Sequence, residues 1–288
     1  MNPITQLLNE LDNPQTPPKR RADIGMALAV LGDPRPGVGL RANGLPEIAW
    51  CLVRGQRVEL LDDNACHLGS FDVPSFYIAK YPITYAQFKA FIDAANGYAD
   101  DRWWDGLEFG KQHWANSQDS ANQPADNIAW VNAVAFCRWL TAQAVDHPDL
   151  LPDVAHPFTI QLPTEAEWWL AATGGHRDYC YPWGRDWQPV GANTKDHKLG
   201  RPISVGLYPA GAAPCGAQDM VGNVWEWCLN EFADPANQDV QGRDRRRRAL
   251  RGGSYLDTPD AMRCTSRLNQ FPISRNNTSG FRVICKIV

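Results

Sequence analysis

The stretch Asp219–Cys228, DMVGNVWEWC, places two tryptophans directly after a glycine-bearing turn instead of within a long helical pattern. The same habit recurs in DRWWDG (101–106) and YPWGRDW (181–187), and the 288-residue chain carries 12 tryptophans in all. Indole rings bury large areas and need partners for their polar edges. Tryptophans set beside glycine and proline therefore predict an irregular, loop-rich core held by aromatic packing. A helical bundle and a doubly wound parallel sheet do not fit that pattern.

The length allows one large domain or two small ones, with a sizeable core either way. The composition, 44% hydrophobic and 21% charged, is that of an ordinary globular chain. A net charge of −4 gives no general reason to expect nucleic acid as a partner. One basic run, RDRRRR (243–248), could meet an acidic partner or a phosphate backbone, but it reads first as a solvated loop without interleaved aromatics. The first thirty residues hold no long apolar run and carry Glu10, Asp12, Lys19, Arg20 and Arg21, so neither a signal peptide nor a membrane span is expected. The eight cysteines are scattered without a C-x-x-C pair, as free thiols in a reducing cytoplasm would be.

Along the chain, ITQLLNELDN and KRRADIGMALAVLGDPRPG have helical spacing, the second with Ile24, Met26, Ala27, Leu28 and Leu31 as its apolar face. Proline- and glycine-rich stretches flank both, so residues 1–44 read as a helical appendage or linker, suited to docking an effector. Residues 45–288 read as the main domain. Short strand-like runs open it (EIAWCLVRGQRVEL, FYIAKYPIT) and close it (ALRGGSY, MRCTSRL, GFRVICKIV), with three helices between. The first of these helices has Thr84 as N-cap and Gly97 as its stop. The second carries Val131, Val134, Ala135, Trp139 and Leu140 on or near one face. The third starts on a Thr164–Glu167 capping box and ends at Gly174-Gly175. Helices in the middle and strands at both ends predict an α+β fold in which the terminal strands pair with one another.

Several phrases, in order and spacing, carry a resemblance: FYIAKYPITYAQFKAFI, PADNIAWVNAVAFCRWL, QLPTEAEWWLAATGG, YPWGRDW, GANT, DMVGNVWEWC, ALRGGSY and GFRV. Together they resemble the formylglycine-generating enzyme (sulfatase-modifying factor) family over residues 76–283. The resemblance implies a loop-rich variant of the C-type-lectin fold. It also implies where chemistry would sit: the active enzymes use two cysteines five positions apart, just after the RGGSY strand, to hold Cu(I). At those positions this chain has Asp257 and Met262, which cannot form a dithiolate site, and Cys264 lacks a partner thiol. No copper and no catalytic residue are therefore expected. A second branch, the iron-dependent sulfoxide synthases of thiol-histidine biosynthesis, carries its metal histidines in an added N-terminal helical domain. Here no histidine precedes His67, which argues against that chemistry. The resemblance further implies a structural calcium held by the side chains of Asp219 and Glu226 and the carbonyls of Gly222 and Val224. A second calcium loop, after Asn193, is not expected, because the segment that follows is short and basic.

The segment between ALRGGS and GFRV has a composition of its own. It holds Tyr255, Leu256, Asp257, Thr258, Asp260, Ala261, Leu268, Phe271, Ile273, Ser274, Asn276, Asn277, Thr278 and Ser279, all types reachable from an asparagine codon by changing only its adenines. Lys, Glu and Trp, which are not, are absent from 254–283, although Met262 and Gln270 fall outside the rule. In this the chain resembles the variable proteins diversified by retroelements, which use the same scaffold and place the variable segment before a GFRV-like strand. The leading expectation is a cytoplasmic, non-catalytic protein that binds a protein or other macromolecular ligand through these side chains. An oxidase with an altered metal site and a pseudoenzyme of fixed specificity stand as alternatives.

Overall fold

The computed structural model describes residues 2–117, 120–152, 157–241 and 246–287. Its helices are α1 (Pro3–Leu11), α2 (Pro18–Leu31), α3 (Tyr85–Asp93), α4 (Trp130–Asp146) and α5 (Glu165–Thr173). Its strands are β1 (Trp50–Val53), β2 (Gln56–Leu61), β3 (His67–Val73), β4 (Phe76–Ala79), β5 (Phe158–Gln161), β6 (Trp225–Glu231), β7 (Arg248–Arg251), β8 (Arg267–Gln270), β9 (Ser279–Gly280) and β10 (Ile284–Ile287). The α+β class and the three central helices are as expected. Among the described residues, no helix is long and apolar enough to cross a membrane.

The capping chemistry works as the sequence predicts. The Thr84 hydroxyl accepts from the Gln87 N–H while the Gln87 side chain accepts from the Thr84 N–H, and Thr164 and Glu167 repeat this reciprocal box. Gly174 then closes α5 in the left-handed region at φ 61°. Gly97 does not end α3, which stops at Asp93. It serves a close approach instead: a Cβ at Gly97 would lie 2.0 Å from the Phe91 carbonyl oxygen.

One four-stranded sheet has the order β1-β4-β10-β5, so the chain's last strand lies between two early ones and every pair is antiparallel. The other has the order β8-β7-β6-β9. Here β9 runs parallel to β6, with Trp225 opposite Ser279. The physical reason is topological: the connection after β8 crosses over β7 and β6 to reach the far edge. Between the sheets α4 is buried nearly all round, and Trp130, Trp139, Phe88, Phe91 and Phe136 build the larger core around it. A second core, with Trp168 and Trp169 of α5, packs under the β2–β3 hairpin and the loop after β7.

Residues 2–44 lie against the body. Leu11, Ala22, Ile24 and Leu28 share a core with Ile203, Leu207 and Tyr208. Gly25 is there because a Cβ would meet the Ser204 hydroxyl oxygen at 2.5 Å. The buried face of α2 thus runs through Arg21, Ala22, Ile24, Gly25 and Leu28, while Met26 and Leu31, expected on it, are exposed. Arg21 is the anchor: fully buried, its guanidinium donates to the carbonyls of Leu11, Asn13, Thr16 and Leu207. Arg21→Ala removes the guanidinium donor from the carbonyls of Leu11, Thr16 and Leu207, while Asn13 keeps the Thr16 N–H, and should lower stability by about 2–4 kcal/mol. Urea unfolding followed by tryptophan fluorescence checks this, and an unchanged midpoint would refute the anchoring role.

Candidate ligand-binding face

The loop leaving β7 turns at Gly252 and Gly253, with φ 96° and 75°. Gly253 allows the fully buried Met262 to pack onto the turn, since a Cβ there would stand 2.3 Å from Met262 Cγ. Asp257 folds inward. Its Oδ2 accepts from the Ser254 N–H at 2.9 Å, the Ser254 hydroxyl at 2.6 Å and the Trp225 indole N–H at 2.9 Å. Its carbonyl accepts from the Lys195 N–H. The two positions where the resemblance would place copper thiolates thus hold an internal clamp and a packing thioether. Cys264 is fully buried, and its N–H donates to the Cys180 carbonyl at 2.7 Å. Burial, first of all, pushes the Cys264 thiol far above the usual thiol range, with Cys180 adding to the effect. Burial of this kind disfavours the thiolate, the form that acts as nucleophile. Sequence reasoning did not foresee the approach of Cys180.

The fourteen side chains proposed for binding divide three ways. Leu256, Thr258, Asp260, Ala261, Phe271, Ile273 and Asn277 are exposed. Asp257, Leu268, Ser274, Asn276 and Thr278 are half-buried. Tyr255 and Ser279 are buried, at 3% and 0% exposure, and cannot meet a macromolecular ligand. The Tyr255 N–H donates to the Asn223 carbonyl and Ser279 is the register partner of Trp225, so both belong to the frame of the loop.

Trp225 joins the two lobes of the segment. Its indole holds Asp257 in the first, and its N–H donates to the Thr278 carbonyl in the second at 2.7 Å. The second lobe is also tied to residues 113–131: Asn127 N–H donates to the Asn276 carbonyl, Val131 N–H to that of Pro272, and Arg275 Nη1 to that of His113. Trp103 and Trp104 are core residues that do not line this face. Trp114 is half-buried and donates to the Asp126 carbonyl. In the basic run, Arg243–Arg245 lie outside the described residues. Arg246 pairs with Glu231 at 3.0 Å, Arg247 lies 4.3 Å over the Phe271 ring, and Arg248 is buried over Trp130. Sequence reasoning also missed Arg247 and Arg275, although the β7–β8 register, with Arg248 opposite Gln270, carries Arg247 to Phe271.

The residues named for calcium do not fit it as a set. Both oxygens of Glu226 accept from Arg282, at 2.6 and 2.7 Å, and one also accepts from the Trp168 indole at 2.7 Å. A cation there would face a guanidinium already in place. Asp219 accepts from the Gly206 N–H at 2.6 Å, and burial pushes its carboxyl up to about 6. Gly222 spends its N–H on the Gly252 carbonyl, and Val224 is buried. Among the described residues no group of three or more His, Cys, Asp and Glu gathers as metal ligands.

This scaffold, short antiparallel strands with five helices and a long loop carried on a glycine turn, is the formylglycine-generating type of C-type-lectin-like fold. The sulfatase-modifying factor enzyme 1-like domain family matches residues 53–287, and the chain belongs to that family. Hercynine oxygenase of Mycobacterium tuberculosis is 31% identical over 260 residues, covering 77% of this chain and 55% of that protein. Inactive C-alpha-formylglycine-generating enzyme 2 of Mus musculus is 33% identical over 173 residues, covering 55% of this chain and 48% of that protein. Among solved structures, Treponema denticola variable protein 1 superposes with a TM-score of 0.62 at 20% identity, covering 83% of this chain and 95% of that one. The chain spans about half the length of the curated relatives it matches.

Asp126 sits behind this face, its carboxylate accepting from the N–H and hydroxyl of Ser117. Burial pushes its carboxyl from an ordinary 3.8 up to about 6, against the pull of Ser117. Between those values the folded state binds more protons than the unfolded one, so this group's contribution to stability falls as pH rises through the window. Asp219 shares the window. Asp126→Asn should therefore flatten part of the slope, read as urea midpoints at pH values on either side of it; an unchanged slope would count against the shift.

Proposed function

We propose that this domain is a non-catalytic binding protein that presents the exposed side chains of residues 256–277 to a protein or other macromolecular ligand, in the cytoplasm, with codons 255–279 diversified. One observation carries the reading. The segment's backbone is pinned from within by Tyr255, Asp257, Met262, Cys264 and Ser279, while Leu256, Thr258, Asp260, Ala261, Phe271, Ile273 and Asn277 point outward. A fixed backbone with outward side chains accepts substitution at little folding cost and loses little entropy when it binds. Exposed apolar groups flanked by small polar ones are the mix that recognition surfaces use. Residues 2–44, packed on residues 199–208, would couple this face to an effector.

The rival is an oxygen-using enzyme with an altered metal site. The approach of Cys180 to Cys264 and the relatives named as oxygenases favour it; the burial of Cys264 opposes it. Stoichiometric copper on the purified protein, lost in Cys264→Ser or Cys180→Ser, would decide for that rival.

The binding reading makes its own prediction. Sequencing the gene's 3′ region across a population should find substitutions concentrated in codons 255–279, with ALRGGS and GFRV constant; a segment as constant as the rest overturns diversification. In the protein, Leu256→Ser, Ile273→Ser and Asn277→Tyr should each shift stability by less than about 0.5 kcal/mol. Asp257→Ala, which strips the clamp from Ser254 and Trp225, should cost about 2 kcal/mol.

A further inference from the structure

The second lobe has a chemistry of its own. The chain carries a net charge of −4, yet this lobe sets arginines around exposed apolar groups. Phe271 and Ile273, at 41% and 38% exposure, stand on a turn closed by the Ser274 N–H donating to the Phe271 carbonyl. Arg247, exposed, lies over the Phe271 ring at 4.3 Å and is held there by Asn269, whose Oδ1 accepts from its Nη1 at 2.9 Å. Arg275, also exposed, is held from the other side through the His113 carbonyl at 2.7 Å. Each guanidinium spends one N–H on this tether and keeps donors for a partner, in the forked geometry that suits carboxylates. Among the described residues, Glu231 pairs with Arg246, and Glu108 lines a hollow with Arg246 and Pro272.

We infer that the partner at this lobe is an acidic protein segment, its carboxylates meeting Arg247 and Arg275 and an apolar side chain between them covering Phe271 and Ile273. This rests on the binding reading above and adds the partner's chemistry to it. A carboxylate brought to a tethered guanidinium costs less side-chain entropy than one brought to a free arginine, and charge-assisted pairs are stronger than neutral ones. Single-stranded nucleic acid is the other anionic occupant. It binds through successive aromatic faces that stack on its bases, and this lobe offers a single aromatic, Phe271, with Arg247 over its ring.

The test uses the full chain in fluorescence-anisotropy titrations against three labelled probes: a peptide alternating aspartate with leucine, its lysine–leucine counterpart, and a single-stranded oligothymidine. The acidic peptide should bind, weaken as salt rises, and lose about tenfold in affinity with Arg247→Glu or Arg275→Glu. The lysine peptide should not bind. Near-ultraviolet circular dichroism of each variant guards against misfolding. Equal binding by both peptides, lost alike in Ile273→Asp, would overturn the acidic partner and leave the binding face standing. Tighter binding by the oligothymidine, lost in Arg247→Glu, would transfer the lobe to nucleic acid. Failure of all three probes removes the inference, while the population sequencing decides the face independently.

Discussion

The ion pair between Glu226 and Arg282, both completely buried, is the constraint on which the architecture depends. Burial pushes the Glu226 carboxyl up, against the pull of Arg282 and the Trp168 indole. An isolated charge at that depth would cost several kcal/mol, so the two groups tolerate burial only together. Arg282 does more than neutralise. Its guanidinium also donates to the carbonyls of Ala79, Lys80 and Gln218. One side chain thus ties the exit of β4, the turn before the DMVGN loop, strand β6 and the entry to β10. The two sheets meet at that point, and neither could shift against the other without stranding a charge.

The same device recurs wherever the backbone leaves its ladders. In a loop-rich fold many buried carbonyls have no strand or helix to donate to them, and each must still be paired. Arginine solves this with several donors on one stem. Arg21 serves four carbonyls at the seat of α2, and Arg248 serves Leu229 and Asp239 beneath Trp130. Arg251 serves Cys264 and Thr265 while pairing with Glu165, which also holds Arg267. The Arg251–Glu165–Arg267 group stands directly under the loop after β7. The backbone of the proposed face is therefore held by charges below it.

Much of this was legible from sequence, for identifiable reasons. The capping box at Thr164–Glu167 and the N-cap at Thr84 are local and have few readings. Collinear tryptophan motifs pointed to a loop-rich core because indoles beside glycines have nowhere else to go. The failures were of a different kind. Met26 and Leu31 were counted as core because a short helix offers several apolar faces and only the docking partner at 203–208 chooses among them. Tyr255 and Ser279 were counted as surface because composition cannot tell which side chains of a loop turn inward. Glu226 fits a calcium ligand by position alone; Arg282, 56 residues away, claims it. Long-range charge partners of this sort leave no local signature.

The loop after β7 carries no thiol at positions 257 and 262 and is held in shape by the side chains that stand there. A thiolate pair must be accessible to a metal and to a substrate, which forces the backbone around it to serve reactivity. An aspartate at position 257 removes that demand, because its carboxylate turns inward to close the Ser254 turn and to hold Trp225. Met262 fills the space over Gly253 with a flexible apolar group. Both side chains act as supports for the residues on either side. On the proposed binding reading, the exposed positions 256, 258, 260 and 261 would be the ones free to vary, since what holds their backbone lies beneath them. On the binding reading proposed above, the supports that hold this loop from beneath are what would let its outer positions tolerate change.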